Sequence, residues 1–323
     1  MKNERQRGLD TLAGVLITYM ILYHCIQHVG LIDSILYNML HRFFFFFMAW
    51  FYFKAGLFHK VKSERQVFIS TTRRLLKPFA IFTLVAHAFC CINYILAGDY
   101  NIIHYTLSPI KQILLNEAIE WNLPLWFLPS LFVVKNLFNI WSLHFSPYFL
   151  LVSGVIACLT MNHNIVQPIF LQNIALGLFF YTAGYCSKYL RIGISAFYGC
   201  GFVYFLSMAF PNDVDFRVNV AISYSHYILW MISSLTSIIL FNRIFSNTYL
   251  LSQRNIVSVI GENSMFFYCS HWIVIMIVKR IIGYLDIELP NYCLLILLLL
   301  IEILILSCIF NMLTGSLKRK IGI

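Results

Sequence analysis

Asp10-Thr-Leu-Ala-Gly-Val-Leu-Ile-Thr-Tyr-Met-Ile-Leu-Tyr-His24 follows a short basic tail and decides how the rest of the chain is read. Beyond Asp10 it suits an apolar helix, and its last residue is an ionisable histidine. At roughly 1.5 Å per residue, His24 lies about 22 Å beyond Leu9, past the middle of a hydrocarbon layer of roughly 30 Å. An ionisable side chain at that depth is costly unless it faces a protein interior or a wet cavity, so it marks a candidate functional site. The plainer reading is a histidine bonded to a neighbouring helix.

Composition agrees with a membrane setting. Of 323 residues, 60% are hydrophobic and 11% charged, and the mean hydropathy is +0.77; soluble domains carry about a quarter charged residues. No polar stretch is long enough for a separate soluble domain, so residues 1–323 are expected to form one integral-membrane helical domain. The run 9–29 has charged flanks and lacks a small-residue cleavage pattern, which predicts a retained first span. Further apolar runs fall near 36–58, 75–97, 124–141, 147–161, 168–187, 193–210, 221–241, 260–282 and 290–313, making ten candidate spans. The fold class is therefore all-α, a polytopic transmembrane bundle of about ten spans.

Orientation follows from lysine and arginine. With the N-terminus cytoplasmic, sixteen basic residues fall in inner segments and four (Lys111, Arg217, Lys279 and Arg280) in outer ones. That asymmetry predicts both termini on the cytoplasmic side. The net charge of +10 then reads as a topology signal and an attraction to anionic lipid, without nucleic acid as a partner. Nine cysteines include no Cys-x-x-Cys pair and read as small buried residues.

Several motifs follow in order: Asp10-x-Leu-x-Gly14 with His24; Met48-Ala-Trp-Phe-Tyr-Phe-Lys-Ala-Gly56; Arg73-Arg74-Leu-Leu-Lys-Pro78; Leu125-Trp-Phe-Leu-Pro-Ser-Leu-Phe132; and Gly261-Glu-Asn-Ser-Met-Phe-Phe-Tyr-Cys-Ser-His271. The ordered set resembles the acyltransferase 3 family of bacterial membrane O-acyltransferases across nearly the whole chain. The resemblance implies a multi-pass enzyme of the bacterial inner membrane. It would move an acyl group, usually acetyl, from cytoplasmic acyl-CoA to a hydroxyl of an envelope polysaccharide or lipid-linked glycan, with no tightly bound cofactor. Family members typically place an arginine eleven residues before the first-helix histidine; here that position is Ala13.

The chemistry asks for a base at the acceptor hydroxyl, and imidazole titrates near neutral pH, where a base works best. His24 is the expected base, or alternatively a covalent acyl carrier. Arg73 and Arg74, with Lys54, are expected to meet the donor, because guanidinium groups suit the phosphates of coenzyme A; the competing reading makes them topology charges. Arg42, Trp126 and His271 are expected at the acceptor or cavity, Arg42 with Lys54 being the second-span candidates to stand in for the missing arginine. Snorkelling to the interface is the competing reading of Arg42, and an aromatic belt that of Trp126. His28 lies four residues beyond His24, yet no His-Glu-x-x-His pattern surrounds it, and no metal site is expected. No phosphate-binding glycine loop is present. A flippase for a lipid-linked glycan, or a non-catalytic relative, would share this composition, and Ala13 keeps both readings open.

Overall fold

The computed structural model describes residues 7–96, 98, 101–116, 118–144, 149–160, 169–190, 193–209, 224–248, 253, 255–285 and 290–312. Among the described residues there is helix and no strand. The helices are α1 (Arg7–His28), α2 (Ile35–Phe44), α3 (Phe47–Leu57), α4 (Glu64–Thr71), α5 (Lys77–Leu96), α6 (Ile102–Asn116), α7 (Phe127–His144), α8 (Phe149–Thr160), α9 (Ile169–Ser187), α10 (Ile194–Ala209), α11 (Tyr224–Asn247), α12 (Ile256–Glu262), α13 (Ser264–Tyr284) and α14 (Asn291–Met312). A π turn over Thr72–Leu76 joins α4 to α5, and a 3₁₀ segment over Glu120–Trp126 leads into α7.

Five helical stretches among the described residues are long and apolar enough to cross a membrane: Arg7–His28, Glu64–Leu96, Trp121–Leu143, Tyr227–Asn247 and Ser264–Tyr284. The expected run 36–58 is instead two helices of 10 and 11 residues, each roughly half the length that spans about 30 Å. The break falls at Phe45 and Phe46, which are buried and packed on Tyr204 and Phe241. Tertiary packing of those rings competes with a continuous helix there. The π turn has a local cause. Pro78 has no N–H to give the carbonyl of Arg74, and its ring would crowd that oxygen, so the ladder changes register just before it.

The chain divides into two compact units, one of residues 1–14, 40–71 and 130–262, the other of 15–39, 72–129 and 263–323.

In the first unit, α3 lies against α9 so closely that backbones touch. A Cβ on Gly56 would sit 1.9 Å from the carbonyl oxygen of Tyr181, and one on Gly184 2.0 Å from that of Phe53. Small residues at such crossings are how membrane helices gain contact when no hydrophobic drive separates protein from lipid. The same device brings the first turns of α1 onto α12: a Cβ on Gly261 would meet the Asp10 carbonyl oxygen at 1.8 Å, and one on Gly14 the Val257 oxygen at 1.9 Å. This contact explains why glycine ends the first motif and begins the last. Polar side chains are paired across the unit. Trp50 Nε1 donates to Asn242 Oδ1 (2.7 Å), the Tyr52 hydroxyl to Ser130 Oγ (2.7 Å), and His59 Nδ1 lies 2.6 Å from the Tyr181 hydroxyl. His59 follows α3 and is buried; burial, then the nearby Lys135 and Lys188, lowers its pKa to about 4, so it is neutral at pH 7.

In the second unit, the later part of α1 meets α13 and α14. The 3₁₀ segment is pinned to α13 by Asn122 Nδ2 donating to the Cys269 carbonyl (3.0 Å) and by the Tyr268 hydroxyl donating to the Pro124 carbonyl. Ala86, Ile119 and Ile273 form an apolar cluster, with Phe82, Phe89, Ile113, Trp121 and Ile277 around it. Cys25 Sγ donates to Glu302 Oε2 (3.3 Å), which ties α1 to α14 in the interior, where Glu302 is 1% exposed.

Candidate functional site

The site is built on the later part of α1 and on α13, both within the second unit. Residues four apart on a helix share a face, so His24 and His28 project together, and α13 brings His271 and Trp272 to meet them. The rings of His24 and His271 stack, with centroids 5.3 Å apart and planes 25° from parallel. Trp272 sets an edge against His24 at 4.9 Å and lies 4.6 Å from the His28 ring.

Hydrogen bonds fix how each imidazole is presented. His24 Nδ1 is 2.9 Å from Gln27 Oε1. A carboxamide oxygen only accepts, so Nδ1 carries the proton and Nε2 keeps its lone pair. His271 Nδ1 is 2.8 Å from the Tyr268 carbonyl oxygen, which again leaves Nε2 as the basic nitrogen. His24 is partly exposed, whereas His271 is completely buried. Its Nε2, the His28 Nε2 and the Trp272 Nε1 are buried atoms with no hydrogen-bond partner. Each such group costs about 1–3 kcal/mol, and three on adjoining side chains make this a candidate place for polar groups of a ligand.

The other expected site residues divide between the units. Arg73 and Arg74 sit in the π turn of the second unit, and both are exposed. A π turn inside a long helix often accompanies function, and here it leaves both guanidinium groups accessible. Trp126 also belongs to the second unit but is only 7% exposed, its ring edge-on to Phe127. Arg42 and Lys54 belong to the first unit. Arg42 is exposed on α2. Lys54 Nζ lies 3.4 Å from Asp10 Oδ1, 3.3 Å from the Leu9 carbonyl oxygen and 5.1 Å from the Trp50 ring centroid. The pair joins two motif residues, and removing either partner would strand the other's charge in a poorly hydrated setting. Ala13 is fully buried.

Against models of protein families, that of the acyltransferase domain, acyltransferase 3, matches residues 6–312. The chain belongs to the acyltransferase 3 family. It is a multi-pass membrane protein of acyltransferase type. Comparison with curated proteins and with solved structures finds no match.

Sequence reasoning within this acyltransferase missed Gln27, Trp272 and Cys25 paired with Glu302. Gln27 is three residues from His24, the spacing at which helical side chains meet, so it was findable. The other two depend on which helices neighbour α1. Among the described residues, no group of three or more His, Cys, Asp or Glu side chains is placed to hold a metal ion.

Gln27 orients His24 without bringing charge. Replacing it with leucine removes the acceptor that holds the proton on Nδ1, and the wrong tautomer becomes accessible. Acyl transfer in Gln27→Leu is expected to fall by about 10- to 100-fold, below the roughly 10²- to 10⁴-fold worth of a whole base. Initial rates at saturating donor and acceptor measure it.

Proposed function

We propose that this acyltransferase moves an acyl group, acetyl in the simplest case, from cytoplasmic acyl-CoA to a hydroxyl of an envelope polysaccharide or lipid-linked glycan. In this reading it spans a bacterial plasma membrane about ten times with both termini cytoplasmic. The observation that carries the proposal is His24, partly exposed, with Nδ1 committed to Gln27 and Nε2 basic, stacked on a buried His271.

In the direct mechanism, an acceptor hydroxyl attacks the thioester carbonyl while His24 Nε2 takes its proton. The tetrahedral intermediate then expels coenzyme A by breaking the C–S bond. The departing thiolate takes the proton from the imidazolium, leaving an ester and the free thiol. In the covalent alternative, Nε2 itself attacks the thioester and the thiolate departs; the hydroxyl then attacks the acyl-imidazolium, the C–N bond breaks to restore the neutral ring, and the hydroxyl proton passes to the thiolate, giving ester and free thiol. Either path needs the lone pair that the Gln27 bond leaves on Nε2. His271 and Trp272 pack against the His24 ring, and in this reading their buried, unpartnered nitrogens meet the reacting groups.

Arg73 and Arg74, both exposed in the π turn, take the donor's phosphates by charge-assisted bonds. Arg74→Ala is expected to raise the Kd for acetyl-CoA by about tenfold, the loss of one charge-assisted contact worth about 1.4 kcal/mol. Titrating acetyl-CoA into purified protein measures it, and unchanged affinity removes Arg74 from the donor site.

The test of the whole reading is reconstitution in liposomes with acetyl-CoA and a glycan acceptor. Thiol release that depends on both protein and acceptor, with acetyl found on the acceptor by mass spectrometry, supports it. Passage of acceptor across the bilayer with no thiol release would make the chain a flippase.

A further inference from the structure

The second unit holds a cavity of ≈ 190 Å³ lined by His87, Cys90, Tyr94, Tyr105, Ser108, Pro109, Gln112, Ile119 and Trp121. Its walls follow helical periodicity. His87, Cys90 and Tyr94 fall at i, i+3 and i+7 of α5, and Tyr105, Ser108, Pro109 and Gln112 at i, i+3, i+4 and i+7 of α6, so two polar stripes on otherwise apolar helices face one space. On α5, which is long and apolar enough to cross a membrane, a polar stripe is turned toward protein or water because lipid offers it no partner.

The lining specifies the ligand's chemistry. It contains no carboxylate, lysine or arginine, which excludes the phosphates of coenzyme A and any charged headgroup. Three aromatic rings contribute: Tyr94 and Tyr105 stack at 4.5 Å, and Trp121 lines the same space. Neutral hydrogen-bonding groups complete it. Gln112 Nε2 donates to Ser108 Oγ at 3.0 Å, and His87 Nε2 lies 3.5 Å from Cys91 Sγ. Aromatic faces interleaved with hydroxyl, carboxamide and imidazole groups suit a ring with apolar faces and a hydroxylated rim. An acyl chain would call for an apolar groove. At ≈ 190 Å³ the cavity falls below the roughly 300–1,000 Å³ of sites for drug-sized ligands, and so fits one ring.

Position agrees. Tyr94 lies seventeen residues beyond Lys77, about 25 Å along α5 from the arginine-bearing end. Ile119 lines the cavity and packs with Ile273, two residues from His271 on α13.

We propose that this cavity binds one neutral sugar ring of the acceptor. The inference rests on the glycan acceptor of the preceding section and goes beyond it by placing a subsite away from the two histidines. The test uses the full chain in lipid nanodiscs and saturation-transfer NMR with methyl glycosides of glucose, galactose, mannose, rhamnose and N-acetylglucosamine. At least one glycoside is expected to bind, with affinity about tenfold weaker in Gln112→Ala and in Trp121→Ala, one lost contact being worth about that factor, and retained in His24→Ala. Because Trp121 also packs on the apolar cluster, Ser108→Ala provides a gentler variant, and unfolding temperatures show that each remains folded. The proposal is overturned if no glycoside binds the wild-type chain, if binding is equal in the wild type and the Gln112 and Ser108 variants, or if native mass spectrometry finds a retained lipid that those variants lose. Glycoside binding through Gln112 without acyl transfer to any hydroxyl would sink the transferase reading and leave the subsite standing. Normal transfer with an unchanged acceptor KM in the Gln112→Ala, Ser108→Ala double variant would do the reverse.

Discussion

Replacing His24 with alanine is expected to lower acyl transfer to hydroxyl acceptors by about 10²- to 10⁴-fold, the usual worth of a positioned general base, and further if the ring carries the acyl group. Yield and unfolding temperature should change little. The ring is partly exposed and its hydrogen bond runs to Gln27 on the same helix, so no other helix loses a hydrogen-bond partner. His24→Gln keeps much of the volume while removing the basic nitrogen, and should be equally inactive. Rates of coenzyme A release with and without acceptor measure both. Acetylation at the wild-type rate in either variant would exclude His24 as base and as carrier. The two mechanisms part under a rapid quench, since only the covalent path leaves acyl group on wild-type protein when acceptor is withheld.

The second large effect is structural. Gly261→Val would place its Cβ 1.8 Å from the Asp10 carbonyl oxygen and 2.7 Å from the Gly14 nitrogen, and both obstacles are backbone. Overpacking ordinarily costs about 1–3 kcal/mol when side chains can give way, and here they cannot, so a cost at or above that range is expected. The yield of monodisperse protein should drop sharply and the unfolding temperature by several degrees. Gly199→Ala is the matched control. It lies within α10, an added Cβ there meets nothing within 4 Å, and alanine should leave stability unchanged or raise it by about 0.5–1 kcal/mol. Equal melting of Gly261→Val and wild type would show that α1 and α12 are not in contact as described.

How far the sequence could be read depends on what carries the information. Long apolar runs with charged flanks announce membrane helices, because lipid leaves backbone polar groups no partner outside a helix. Residues 9–29 and 260–282 accordingly appear as α1 and α13. The run 36–58 is apolar throughout, yet it is two helices, because the break at Phe45 and Phe46 is settled by rings on α10 and α11. Hydropathy cannot register that. Of the expected site residues, His24 and His271 do meet, though nothing in their separation of 247 positions required it. Lys54, expected among the donor-binding cations, is set by the fold beside Asp10.

The sequence alone determined the material of this protein: apolar helices, a basic asymmetry between flanks, a histidine deep in the first span, and ordered motifs enough to recognise the family. Those properties are local, since burial in lipid and helical periodicity act along a chain without reference to its neighbours. Only the tertiary structure decided that Trp272 and His271 enclose His24, that Cys25 reaches Glu302, that Gly261 admits the backbone of α1, and that polar stripes of α5 and α6 face one cavity. Each of these depends on which helices lie side by side. That choice is made by close packing and by the cost of an unpaired polar group, which are properties of pairs of surfaces and not of any one segment.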